Sequence, residues 1–208
     1  MPYFIKVKRW PHLNLTLDLN KASFPLARFT QKISTSFLVL ASYTEKVTTK
    51  VDISSQVRRE PSLIWRTRLK KPQDLGLTLT YRSWENEKHY FIQQGETRDS
   101  SSHYELKLDY DTLLPWVRKI PLLGRWIDPG KKVHVSTSLT FGEKKRYLAS
   151  GLVGENNTKW KLNADAEYKL SQALKLKLGL ETGYFQDRVK VGEDHYFLGG
   201  SGEVEIRF

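Results

Sequence analysis

The chain reads as all-β, an antiparallel transmembrane β-barrel of about 12 strands, within a range of roughly 10 to 14. Three observations lead there: alternation of apolar and polar residues at period two, the absence of any long apolar run, and aromatic residues recurring near the ends of the alternating segments. In a strand, successive side chains point to opposite faces, so period two marks one apolar and one polar face. Leu13, Leu15, Leu17 and Leu19 alternate with Asn14, Thr16 and Asp18. Leu77, Leu79 and Tyr81 alternate with Thr78, Thr80 and Arg82, and Tyr104, Leu106, Leu108 and Tyr110 with Glu105, Lys107 and Asp109. A helix would scatter these leucines around its whole circumference.

The last third repeats the pattern most clearly, over Val133 to Phe141, Lys159 to Leu170, Leu174 to Glu181 and His195 to Phe208. Weaker runs at Tyr3–Lys8, Lys32–Thr44, Lys46–Arg58, Leu63–Lys70, Lys88–Gln94 and Arg146–Val153 complete the count. Polar clusters at Glu85-Asn86-Glu87, Asp99 to Ser102 and Gly154 to Asn157 read as turns between strands. No segment has the pattern of a helix. A single domain over residues 1–208 is expected, interrupted at 112–132 by a long loop containing Pro115, Pro121 and Pro129. Trp116 and Trp126 stand beside cations in that loop, the chemistry of a bilayer interface or of a segment folded inward.

Composition narrows the function classes. The longest apolar stretch, Phe37 to Ala41, is far below the roughly 18 residues of a spanning helix. The N-terminus has no apolar core of a secretory leader, so the expectation is that a leader was removed, that the chain is part of a longer one, or that the barrel reaches its membrane unprocessed. With no cysteine, thiol chemistry and disulfides are excluded. The five histidines are dispersed and no nucleophile or phosphate-loop motif is present, so neither an enzyme nor a metal or other cofactor is expected. The net charge of +11 and pI of 9.7 suit a polyanion binder. The cations recur every second residue inside strands instead of clustering, which argues against nucleic acid and for a basic barrel interior.

Two features favour a membrane over a soluble β-protein. Tyr and Trp near strand ends, with Trp65 and Trp160 as anchors beside Trp116 and Trp126, form the expected aromatic girdles. The chain also stops on an alternating strand at an aromatic residue. That segment, Gly200-Ser201-Gly202-Glu203-Val204-Glu205-Ile206-Arg207-Phe208, resembles the C-terminal assembly signal of outer-membrane β-barrel proteins, with Val204, Ile206 and Phe208 as its apolar positions. The resemblance implies insertion into an outer membrane by barrel-insertion machinery that adds this strand to an exposed edge. In size, basic charge and intact initiating Met the chain is also similar to plastid outer-envelope pore proteins. A plastid outer envelope or a Gram-negative outer membrane is therefore the expected location, with the lipid bilayer as partner.

If the leucine face meets lipid, the other face lines the interior. Its cations are Lys50, Arg58, Arg66, Arg68, Lys70, Arg82, Lys107, Lys159, Lys161, Lys175 and Lys177, set against acids that include Glu105, Asp165, Glu167, Glu181, Glu203 and Glu205. A confined cationic lining concentrates anions, so the reading is a pore that passes or binds anionic solutes. The alternatives are a barrel filled by its own ion pairs, acting in lipid handling or as a translocation partner, and a soluble β-barrel binding protein. The oligomeric state stays open.

Overall fold

In the computed structural model the described residues are 5–9, 13–21, 25–50, 54–70, 75–90, 95–113, 128, 130–171, 174–190 and 192–206. They form ten strands and one short helix. The strands are β1 (Ile5–Arg9), β2 (Leu13–Asp18), β3 (Ser34–Lys50), β4 (Ser54–Leu69), β5 (Leu75–Tyr90), β6 (Gly95–Leu113), β7 (Lys132–Tyr147), β8 (Val153–Lys169), β9 (Leu174–Asp187) and β10 (His195–Ile206). From β3 to β10 each strand pairs antiparallel with the next in sequence. β1 and β2 both lie on the free side of β3, one opposite residues 46–50 and the other opposite residues 38–43. The ten strands thus occupy nine positions in one sheet. The sheet is open: β10 pairs only with β9, and β1 and β2 pair only with β3.

The expected 12 strands become nine positions because several expected turns lie inside strands. Glu85 to Glu87 belong to β5, Asp99 to Ser102 to β6 and Gly154 to Asn157 to β8. The first two pair with each other across the sheet, Glu85 with Ser100 and Asn86 with Asp99, and the third pairs with β7, Glu155 with Arg146. Ion pairs replace apolar contacts here: Arg59 lies 3.4 Å from Glu85 and 3.2 Å from Glu87, and Arg98 is bonded to Glu85. The polar clusters are therefore the charged and polar ends of long strands. The two runs expected at Lys32–Thr44 and Lys46–Arg58 likewise merge into β3 and the start of β4. The expected strand at Arg146–Val153 is instead a turn, in which Leu148 N donates to Leu152 O at 2.9 Å. Gly151 adopts a φ of 78° in it, a conformation that costs a glycine little.

A helix that the sequence reading lacked, α1 (Pro25–Ile33), joins β2 to β3. Pro25 opens it at the position where a missing N–H costs nothing. Ala27 and Thr30 are buried, while Phe29 and Ile33 stay exposed one turn apart. Ser34 Oγ donates to Thr30 O at 2.7 Å as the chain leaves the helix for β3. No helix among the described residues is long and apolar enough to cross a membrane.

Candidate functional site

Register sorts the side chains into two faces. One hydrogen-bonded row runs Leu15, Ala41, Leu63, Tyr81, Tyr104, Phe141, Trp160, Tyr184, Tyr196. From β5 to β10 every member of it is aromatic. Neighbouring rings touch, with centroids 5.0 Å apart for Tyr81–Tyr104, 6.2 Å for Tyr104–Phe141 and 4.5 Å for Tyr184–Tyr196. The next row on the same face is Trp65, Leu79, Leu106, Leu139, Leu162, Thr182, Leu198. Trp65 thus sits one row inside the aromatic line, its ring 5.6 Å from Phe37. Trp160 is in the line itself. Leu139, Leu178, Leu180 and Leu198 are exposed.

On β7 and β8 this apolar face extends from Phe141 to Val133 and from Trp160 to Tyr168. Eight residues of strand span about 26 Å, close to the outward apolar band of a membrane barrel. Beyond the aromatic line the same face turns polar with Ser83, Ser102, Glu143 and Thr158, and charged further out with Glu85, Glu87, Arg98 and Lys145. At the opposite boundary Tyr168 Oη accepts a hydrogen bond from Asp128 N at 2.6 Å.

The other face is polar, and the cations expected in the interior share it by strand alternation. Most are already paired. Lys107 lies 3.2 Å from Asp109, and Lys161 lies 2.8 Å from Glu181. Lys175 contacts Glu167 at 2.7 Å and Glu205 at 3.7 Å. Lys177 contacts Glu203 at 3.1 Å and Glu205 at 3.6 Å. Arg58 is paired with Glu60 and stacks 5.6 Å from the Trp84 ring centroid. Lys159 lies 5.3 Å from the Phe197 centroid. Lys70 has left β4: its Nζ donates to Gln31 O at 2.6 Å near the C-terminus of α1, where the helix dipole favours a cation.

Arg66, Arg68 and Arg82 differ. Their side chains have no ion pair or hydrogen bond among the described residues. Arg66 shares a row with Thr78 and Lys107, and Arg68 shares one with Gly76 and Asp109. Three guanidiniums on two adjacent strands therefore share this polar face without a carboxylate partner among the described residues. On β8 to β10 the same face carries a trough of about 360 Å³ lined by Asn163, Asp165, Gly179, Gly199 and Ser201, with Lys161 and Glu181 at its rim.

Trp84, one of the strand-end aromatics expected in the girdles, lies instead on the polar face beside Arg58, and sequence reasoning missed Phe197 on that same face. Each is one aromatic among polar neighbours on its face, so periodicity gave no signal. Lys50 ends β3 opposite Ser54, and only its backbone is described. Val204 and Ile206 are exposed on the apolar face of β10. Phe208, Trp116 and Trp126 lie outside the described residues. Compared with protein-family models, curated proteins and solved structures, the chain matches none.

Proposed function

We propose that this chain is a barrel wall of an outer-membrane type, with a basic interior that accepts anionic solutes and lets them cross. One observation carries the reading: an exposed apolar band edged by an aromatic line lies back to back with a polar face bearing three arginines that have no carboxylate partner among the described residues. The band suits lipid, and the aromatic line suits the headgroup boundary. Arginines without carboxylate partners keep their attraction for mobile anions, whereas paired lysines have spent most of theirs. In a planar bilayer under a salt gradient, the full chain is expected to give discrete conductance steps with a reversal potential of the sign for anions. Protein that inserts and never conducts removes the transport reading.

A second reading is supported by the ion pairs of Lys161, Lys175 and Lys177. A lattice of this kind fills a small barrel and leaves no path, as in a scaffold for lipid handling or for a translocation partner. It predicts insertion, silence in the bilayer, and co-purified lipid or protein.

A further inference from the structure

Helix α1 is mounted the wrong way round for water. Its small and polar residues are the ones that dock. Ala27 and Thr30 are buried, and with Gln31 and Ser34 they recur at three- and four-residue spacing, on one side of the helix. Hydrogen bonds fasten that side. Gln31 Nε2 donates to Asn20 O at 3.0 Å, Lys70 Nζ to Gln31 O at 2.6 Å, and Ser34 Oγ to Thr30 O at 2.7 Å.

The large apolar residues point the other way. Phe29 and Ile33 are 60% and 47% exposed, and at four-residue spacing they are neighbours. Arg28 and Lys32, also four apart, are exposed beside them. Neither cation has a carboxylate partner among the described residues, and residues 19–44 contain no Asp or Glu. A helix lying on a sheet in water turns its large apolar residues inward and leaves the polar ones outside. α1 does the reverse, so its outward side suits surroundings that are apolar next to negative charge.

The register gives the depth of this helix. α1 runs into β3 at Ser34, which pairs with Leu69, and Leu69 pairs with Leu75. Leu69 closes β4 and Leu75 opens β5. Along β4 they lie about 20 Å of strand from Leu63, which pairs with Tyr81 on the aromatic row. α1 therefore leaves the sheet at the margin of the apolar face that lies away from the aromatic line. In a bilayer that margin is where hydrocarbon gives way to headgroups.

Resting on the membrane reading proposed above, we infer that the outward side of α1 is a binding site for anionic phospholipid. Phe29 and Ile33 enter the boundary between acyl chains and headgroups, and Arg28 and Lys32 bind the phosphates there. Charge argues against a second copy as the occupant, since face-to-face docking would set Arg28 and Lys32 against the same cations. The chain's own sheet is on the other side of the helix, against Ala27 and Thr30. The two margins of the apolar face then hold the bilayer by different chemistry. Aromatic rings at one margin are indifferent to headgroup charge, whereas the cations at the other select it.

Photocrosslinking reads the occupant directly. The full chain is made with benzoylphenylalanine in place of the exposed Phe29 and reconstituted in vesicles of equal phosphatidylcholine and phosphatidylglycerol. Ultraviolet light is expected to give a chain heavier by one phospholipid. Mass separates the two lipids, and phosphatidylglycerol should be taken in excess by about fivefold, the factor one cation gains at an anionic surface. The same probe in place of Leu139, in the apolar band, should take both lipids evenly. R28Q/K32Q should bring position 29 to that even ratio. A crosslinked dimer, or a bridge to another segment of the same chain, overturns the proposal by naming a protein occupant. Lipid adducts at 139 with none at 29 leave the membrane reading standing and place α1 in water, which overturns the site. An even ratio at 29, or an excess that R28Q/K32Q leaves unchanged, overturns the recognition of anionic headgroups. Lipid adducts at neither position, with the chain left outside the vesicles, defeat the membrane reading and the site together.

Discussion

At the scale of single residues, the contrast between cations with and without a carboxylate partner among the described residues makes the function testable. Replacing both Arg66 and Arg68 by Gln is expected to move the reversal potential toward zero, with the fold unchanged by circular dichroism. K161Q is expected to move it far less, because Glu181 already screens that charge. Lys175 has a different role. Two carboxylates share it, and K175M leaves Glu167 and Glu205 facing each other. The loss is expected to be about 1 kcal/mol in a denaturant titration in detergent, the size of a partly exposed ion pair. Gly183 is there for contact: a methyl at this position would collide with the Phe197 ring and the Trp160 carbonyl. G183A is expected to cost about 1–3 kcal/mol by the same titration, and F197A made in the same chain should recover part of it.

At the scale of elements, the strands from β3 to β8 each have on their aromatic-bearing face an apolar half and a polar half, divided by the row that runs from Ala41 to Trp160. A charge placed on that line separates the membrane reading from a soluble one. F141D is expected to lower the yield of inserted protein severalfold in vesicles, since a charge in the band costs a few kcal/mol near its centre and less at its edge. A soluble sheet with this face covered by solvent would tolerate the change. The polar strand ends have their own pH signature. Lys144 donates a hydrogen bond to Glu155 at 2.9 Å, Asn157 donates another at 2.9 Å, and these hold its carboxyl below the ordinary carboxylate range. A depressed folded-state pKa means the stabilisation is complete above the unfolded value and disappears as pH falls through the folded one. Unfolding midpoints of the detergent-solubilised protein should therefore drop on acidification below the usual carboxylate range. E155Q should flatten part of that drop.

At the scale of the whole molecule, the all-β class, the single antiparallel sheet and the two-faced strands were legible in the sequence, because period two survives wherever one face is apolar. The strand count was not. Glu85 to Glu87, Asp99 to Ser102 and Gly154 to Asn157 have the composition of turns, and only their partners across the sheet reveal them as strand. The helix α1 escaped because nine residues between two alternating runs hold too few turns for a helical period to stand out. The polar face was legible as a set of cations. Which of them are paired was not, since Lys161 and Arg66 look alike until Glu181 is placed beside the first and no carboxylate among the described residues beside the second. The membrane reading itself has a direct check. Purified chain is expected to need detergent to stay monodisperse, and a monodisperse detergent-free monomer would refute it.

The neighbour-to-neighbour order from β3 to β10 also governs how the chain can assemble. Each of those strands finds its partner across one connection, so ordering it closes only a short loop, apart from the longer connection between β6 and β7. Contacts that are local in sequence form early, because little chain entropy is lost before the first hydrogen bonds return it. The sheet can therefore grow one hairpin at a time from any interior pair, with no obligatory starting end. The two margins of the chain are then the last to acquire neighbours. A variant that weakens a central hairpin should slow folding, whereas one that weakens β10 should leave the folding rate nearly unchanged and hasten unfolding instead.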